Sequence, residues 1–153
     1  MRALELKMPP MLLAMLLLAA MWGLSRCEPH FAIPAAARIA AALLISVAGL
    51  SFITLGMLAF RRFRTTFDPT RPGRASSFVS SGVYRVTRNP MYLGALLLLV
   101  AWAVFLAAAW AFSGPVFFYL YIGRFQIEPE ERILAGLFGD EYASYVARVR
   151  RWL

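Results

Sequence analysis

The segment SSGVYRVTRNPMYLG, residues 80–94, joins a polar part of the chain to a long apolar one. It holds two arginines, an Asn-Pro step and two tyrosines, whereas no residue from Met91 to Gly123 is charged. A single helix over that uncharged stretch, at about 1.5 Å per residue, would be about 50 Å long, which exceeds one membrane crossing. The sequence therefore predicts a hairpin of two helices that starts in this segment, with its turn at the Ser-Gly-Pro of 113–115.

The composition is typical of a membrane protein, with 61% hydrophobic and only 16% charged residues. A chain of 153 residues leaves room for one compact bundle, and its single cysteine, Cys27, cannot form an internal disulfide. The net charge of +8 does not indicate nucleic-acid binding, because many arginines lie between two apolar blocks, as in cytoplasmic loops. These are Arg61, Arg62, Arg64, Arg71, Arg74, Arg85 and Arg88.

The apolar blocks predict four membrane-spanning helices. The first covers 8–24, the second about 35–60, the third about 91–112, and the fourth begins at 115. In the second helix, Gly49 and Gly56 would let a neighbouring helix approach closely. A secretory signal is the alternative for the first block, but Arg26 stands where a cleavage site needs a small residue. Because arginine-rich loops face the cytosol, both termini should be cytosolic, in a bacterial inner membrane.

The predicted fold class is therefore all-α: an integral membrane four-helix bundle of two hairpins with a cytosolic C-terminal amphipathic helix. The whole chain forms one membrane domain. Its parts are an N-terminal hairpin (1–60), a cytosolic connector (61–90), a second hairpin (91–128) and cytosolic C-terminal helices (129–153). We expect Pro129 to bend or interrupt the helix that leaves the membrane. The last fifteen residues, GDEYASYVARVRRWL, repeat apolar positions at helical spacing, and such a helix either anchors the chain or closes a site.

Polar residues converge where the second hairpin opens. In a helical hairpin the start of one arm lies beside the end of the other, so 84–94 should face 123–131. Of the eight acidic residues, Glu128, Glu130 and Glu131 lie in the latter segment. Charged groups at a membrane interface are costly unless they are paired or functional. Arg88 could simply neutralise Glu130 or Glu131, or the group could bind a ligand.

A ligand with both charges and an aromatic ring would suit carboxylates, arginines and tyrosines together. S-adenosylmethionine is such a compound: carboxylates can pair its cations, arginine can hold its carboxylate, and tyrosine can stack on its adenine. Gly82 permits a turn, and Gly94 would leave space for a ligand against the backbone. The sequence has no glycine-rich nucleotide fingerprint and no His or Cys cluster, so we expect no metal site. His30 is expected to be a solvated loop residue.

Two motifs resemble those of the isoprenylcysteine carboxyl methyltransferase family and its wider group with bacterial phospholipid methyltransferases. The first is SSGVYRVTRNPMYLG, and the second is EERILAGLFGDEYASYVARV, residues 130–149. Together they cover about 76–152, half of the chain. The resemblance implies an integral membrane methyltransferase that binds S-adenosylmethionine between the motifs, without a separate nucleotide-binding domain.

The resemblance also implies roles for individual residues. The implied cofactor contacts are Ser77, Phe78, Val79, Tyr84, Asn89, Pro90, Met91, Tyr92, Gly94 and Glu130. The implied catalytic group comprises Arg88, Gln126, Glu130 and Glu131, with Arg88 orienting the cofactor wall. At the position of Gln126, the similar eukaryotic isoprenylcysteine enzymes carry an arginine that holds the substrate carboxylate. Glutamine lacks that positive charge.

The acceptor remains open between two chemical classes. A carboxylate acceptor needs an arginine to orient it, as in isoprenylcysteine O-methylation, whereas an amine, as in a phospholipid headgroup, must lose a proton, which Glu130 or Glu131 could accept. In both cases the partners are a lipophilic substrate and the bilayer, with oligomeric state undefined. Two other functions stay open. One is an NADPH-dependent relative of the sterol reductases, and the other is a non-catalytic membrane scaffold in which an ion pair of Arg88 with a glutamate holds the helical hairpin together.

Overall fold

The structure is a computed structural model that describes residues 5–27, 30–62 and 79–153. All elements named in these ranges are helical, which confirms the helical class. They are α1 (Pro10–Ser25), α2 (Ala35–Arg62), α3 (Pro90–Leu106), α4 (Ser113–Ile122) and α5 (Glu128–Val146), with 3-10 turns at Gly82–Arg85 and Ala109–Phe112 and a π-helical segment at Gly123–Ile127. Prolines begin α1 and α3, where a missing N–H leaves no intrahelical bond unmade.

Helix α3 lies at the centre and runs antiparallel to α2 and α4. A Cβ on Gly49 of α2 would lie 2.9 Å from the carbonyl oxygen of Gly94, and one on Gly56 would meet Met91, nearer the start of α3. The approach expected at Gly49 and Gly56 is thus confirmed. The helix ends therefore form two groups. We call the end with Pro10, Arg62, Pro90 and Ile122 the site end, and the end with Ser25, Ala35, Leu106 and Ser113 the distal end.

Gly94 has a different surrounding from the one expected. A Cβ there would lie 2.5 Å from the carbonyl oxygen of Gly49 and 2.6 Å from Cγ1 of Ile53. The space beside Gly94 is filled by α2, so the glycine serves the helix contact and leaves no room for a ligand on that side.

The core lies between α1, α3 and α4, and the outward surfaces stay apolar. Met21, Leu99 and Phe118 are buried in the core, whereas Leu44 and Val47 on α2 are 73% and 63% exposed. Only α2 is both long and apolar enough to cross a membrane among the described helices, while α1 and α3 are shorter apolar helices. Such exposed apolar surface is typical of contact with lipid.

The turn of the second hairpin lies earlier than the sequence predicted. Helix α3 ends at Leu106, and Ala107 takes a left-handed conformation with φ 51°. The carbonyl oxygen of Ala107 accepts a hydrogen bond from the Phe31 N–H at 2.7 Å, and Ala108 forms an isolated bridge with His30. A contact with the first hairpin thus sets the turn. Gly114 instead lies inside the closely packed contact with Met21, where a Cβ would clash.

The chain stays helical through Pro129, but its α-helical hydrogen bonding is interrupted just before this residue, as expected near a proline. The carbonyl oxygen of Phe125, four residues before Pro129, accepts instead from the Leu6 N–H at 3.0 Å. The irregular features lie on either side: the π-helical segment before α5, and a kink at Gly139, with φ 48° and ψ −123°. Beyond the kink the chain is helical to Val146, with Tyr142 and Tyr145 buried, as the amphipathic spacing predicted.

Candidate active site

The starts of α3 and α5 meet at the site end. The Tyr92 hydroxyl, in the first turn of α3, donates a hydrogen bond to Glu130 Oε1 at 2.6 Å. Gln126 Nε2, in the π-helical segment, donates to the same oxygen at 2.7 Å. The predicted meeting of 84–94 with 123–131 is therefore confirmed as a contact.

Glu130 is a buried carboxylate whose hydrogen bonds, within the described residues, come from neutral groups. It forms no ion pair within the described part of the chain. Burial raises the pKa of Glu130 to about 7, and the charge of Glu131 adds to this shift. The hydrogen bonds from Tyr92 and Gln126 work in the opposite direction because they favour the ionised form. Near neutral pH the side chain can therefore accept or hold a proton.

Arg88 pairs with Glu131, not with Glu130. Its Nη2 lies 3.1 Å from Glu131 Oε1, and Arg151 binds the same carboxylate through Nη2 at 2.6 Å and Nε at 3.2 Å. The Arg88 side chain is 11% exposed, and its Nε and Nη1 are buried with no hydrogen-bond partner among residues 5–27, 30–62 and 79–153. Buried N–H groups rarely lack acceptors, so these two are candidates for binding an anionic group.

The C-terminal segment, residues 147–153, closes over the first motif. The carbonyl oxygen of Arg150 accepts from the Arg88 N–H at 3.0 Å, and that of Arg151 accepts from Asn89 Nδ2 at 2.9 Å and Thr87 Oγ1 at 3.3 Å. The sequence left two roles open for the end of the chain, membrane anchoring and closure of a site. These hydrogen bonds support closure of a site. They also occupy the Asn89 amide nitrogen, which the resemblance assigned to a cofactor.

Two residues at the site escaped the sequence analysis. Thr87 is fully buried and also accepts the Asn89 N–H at 3.2 Å. Arg151 is the second partner of Glu131, although its place in a run of arginines near the end of the chain suggested only an interfacial charge. No local signal identifies either, because Thr87 contacts a residue 64 positions along the chain and Arg151 binds a carboxylate 20 positions away.

The remaining predicted residues divide between the site and other surroundings. Tyr84 is buried, and its carbonyl oxygen accepts from the Tyr145 hydroxyl at 2.7 Å. Val79 is buried, Pro90 is buried at the start of α3, and Met91 packs towards Gly56 of α2. Ser77 and Phe78 lie outside the described residues.

Arg124 does not take the place of the substrate-holding arginine that the similar enzymes carry at the position of Gln126. The Arg124 side chain is 46% exposed and pairs with Glu128, one turn along the helix. Gln126 itself is 2% exposed and bonded to Glu130. The described residues contain no group of three His, Cys, Asp or Glu side chains that could hold a metal ion.

Comparisons with known proteins agree with the motif resemblance. The family model for phospholipid methyltransferases matches residues 37–141. An uncharacterized protein of Haemophilus influenzae is 49% identical over 63 residues, which are 41% of this chain and all of that protein. Methanethiol S-methyltransferase 1 of Bradyrhizobium diazoefficiens is 39% identical over 67 residues, 44% of this chain, and the match spans only 22% of that enzyme. No solved structure gives a significant match.

Proposed function

The chain belongs to the phospholipid methyltransferase family, and from this premise we propose that it is a membrane-embedded methyltransferase that uses S-adenosylmethionine. The proposed acceptor is a lipophilic molecule that reaches the site from the bilayer. The site end is proposed to face the cytosol, with four helical spans in a bacterial inner membrane.

The observation that carries this proposal is a buried carboxylate without a cation partner, together with a buried guanidinium that has N–H groups to spare, both among the described residues of the site end. Glu130 has no cation partner among the described residues, and Arg88 keeps two buried nitrogens without acceptors there. A zwitterion with a carboxylate for Arg88 and a cationic group for Glu130 would satisfy both. S-adenosylmethionine fits this donor set, since it carries a carboxylate, an ammonium and a sulfonium.

Each residue then has a role in binding and alignment. Bound S-adenosylmethionine would supply a methyl group on a sulfonium, whose sulfur leaves as a neutral thioether, so no general acid is needed. Arg88 holds the carboxylate, and Glu131 with Arg151 fixes the Arg88 guanidinium. Tyr92 and Gln126 orient Glu130. The C-terminal segment covers the first motif and limits access of water.

The acceptor proposed here is an amine rather than a carboxylate. Gln126 supplies no positive charge and Arg124 is exposed and paired, so neither position offers a free guanidinium to orient a second carboxylate beyond that of the cofactor. An amine must lose a proton before or during attack, and the proposed acceptor is the Glu130 carboxylate, which stays ionised where it pairs the cationic part of the cofactor. A thiol is the second candidate, favoured by the similarity to methanethiol S-methyltransferase 1, and it would use Glu130 in the same way.

Cofactor binding to the purified full chain tests the proposal. We expect S-adenosylmethionine to bind by calorimetry, and Glu130→Gln and Arg88→Gln each to weaken it by about tenfold or more, as for loss of one charge-assisted contact. Glu128→Gln and Arg124→Gln are the matched controls, since both remove a charge from an exposed neighbouring pair.

The competing functions predict other outcomes. Binding of NADPH in place of S-adenosylmethionine would identify a reductase, and binding of neither would leave a scaffold. Mass spectrometry of lipids and small thiols from cells with and without the protein then identifies the acceptor. Methylated carboxylates as the sole product would contradict the amine assignment without affecting methyl transfer itself.

A further inference from the structure

A second cluster of cations lies at the distal end, away from the starts of α3 and α5. There the structure contains a cavity of about 270 Å³, several times the ~30 Å³ that one water occupies in the liquid. Its lining includes Ser25 and Arg26 at the end of α1, His30 in the loop, Arg38 in the first turn of α2, and Phe105 at the end of α3. No carboxylate belongs to this described lining.

Among the described residues, the two arginines of this cavity have no carboxylate partner, unlike Arg88 and Arg151 at the site end. Neither Arg26 nor Arg38 forms an ion pair within the described residues. Each guanidinium instead lies over an aromatic ring, with Cζ 5.6 Å from the centroid of Trp22 for Arg26 and 5.6 Å from that of Phe105 for Arg38. Arg38 Nε is buried and finds no hydrogen-bond partner in the described parts of the chain.

The walls of the cavity are held by contacts between the two hairpins. The Phe31 N–H donates to the carbonyl oxygen of Ala107, and the bridge between His30 and Ala108 fixes the loop against the end of α3. The arginines are therefore held close to a common space before any ligand arrives. Preorganised donors of this kind bind oxyanions with little ordering cost.

The distal end also carries exposed apolar side chains. Trp22, Ile33, Ile39 and Trp110 at this end are 54%, 48%, 44% and 60% exposed. Tryptophans beside arginines are typical of the interface between lipid headgroups and acyl chains. A phosphate bound by Arg26 and Arg38 would thus lie at headgroup depth, with acyl chains along the exposed side chains.

We propose that this distal cavity binds a phosphate group, carried by an anionic phospholipid of the leaflet opposite the methyl-transfer site. Two guanidinium groups can share the phosphate oxygens, and Ser25 and His30 supply further polar groups to the headgroup. The site is separate from the proposed function, since its residues take no part in cofactor or acceptor binding.

The test measures lipid retained by the full chain. Purified protein is placed in mixed detergent micelles with dioleoyl phosphatidylglycerol, and bound lipid is counted by native mass spectrometry. We expect one retained lipid, with retention reduced about tenfold in Arg26→Gln and in Arg38→Gln, as for loss of a charge-assisted contact. Arg148→Gln, which removes an exposed arginine near the C-terminus, is the control and should retain lipid like the wild type.

Each other outcome overturns the proposal. Equal retention by all variants would show that the cavity holds no lipid, and equal loss in Arg148→Gln would show unspecific attraction between charges. Binding of inorganic phosphate without retention of phosphatidylglycerol would show that the bound phosphate group does not belong to a lipid. Elution as a single species checks folding, and Arg26→Gln decides alone if Arg38→Gln does not fold, because the Arg26 side chain is exposed.

Discussion

The two ends of the helix bundle hold their arginines in different ways. At the site end, Arg88 and Arg151 share the carboxylate of Glu131. At the distal end, Arg26 and Arg38 lie over aromatic rings and have no carboxylate among the described residues. A shared carboxylate fixes the site-end arginines in place and couples them to stability, whereas we expect arginines that lie over aromatic rings, with no ion pair in the described residues, to contribute less to the fold.

Removing Glu131 should have the largest effect on stability. Glu131→Ala leaves two guanidinium groups without their partner, and the Arg88 and Glu131 side chains are only 11% and 19% exposed. We expect the free energy of unfolding to fall by about 3 to 5 kcal/mol, as for breaking a buried pair. Glu128→Ala, in the exposed pair with Arg124, should cost less than about 1 kcal/mol. Denaturant titration in detergent measures both, and equal effects would contradict the distinction.

Stability should also fall with rising pH because of Glu130. The folded-state pKa of about 7 lies above the ordinary glutamate pKa of 4.5, so the folded protein holds this proton more tightly than the unfolded chain. The contribution is fully present below pH 4.5 and is lost as pH rises through about 7. The loss is at most about 3 kcal/mol, since one pKa unit corresponds to about 1.4 kcal/mol. Glu130→Gln should abolish this dependence, and an unchanged profile in that variant would assign it to another group.

Tyr92→Phe should have a smaller effect at the same carboxylate. It removes one of the hydrogen bonds to Glu130 Oε1, which should cost about 1 kcal/mol. The hydrogen bond from Tyr92 favours the ionised form of Glu130 and lowers its pKa. Its loss should raise the pKa of Glu130, so that stability is lost at a higher pH than in the wild type. Stability profiles against pH for the two proteins test this, and a downward shift would mean that Tyr92 does not stabilise the carboxylate.

Arg26→Gln should change stability least, by no more than about 0.5 kcal/mol. The side chain is exposed and forms no ion pair with the described residues. Thermal unfolding without added lipid provides the measurement. A loss as large as that of Glu131→Ala would remove the contrast between the two ends.

Much of the fold could be predicted from the sequence because helices in apolar surroundings leave strong local signals. The apolar blocks located α1, α2 and α3, and hairpin geometry placed Tyr92 beside Glu130, whereas Gln126 lies one helical turn before Glu130 on the same arm. The turn at Ala107 escaped, since three successive alanines carry no turn signal and the contact with Phe31 sets the conformation. Membrane crossing by four helices stays a prediction.

The site was predictable only in its two motifs. Tyr92 and Glu130 belong to recognisable segments, but the hydrogen bonds from Thr87 and Asn89 to the C-terminal segment depend on how distant segments pack. Gly94 was recognised in the first motif, but its role was not predictable. A motif glycine can make room for a ligand or for a neighbouring helix, and only the atoms packed around its backbone distinguish these roles.

The central claim is that Arg88 holds the carboxylate of a zwitterionic cofactor whose cationic part lies at Glu130. Calorimetric binding of S-adenosylmethionine and of its decarboxylated analogue to the wild type and to Arg88→Gln tests this most directly. The account predicts that Arg88→Gln weakens S-adenosylmethionine by about tenfold or more and leaves the weaker binding of the analogue unchanged. Equal weakening of both ligands, or binding of neither to the wild type, would contradict it.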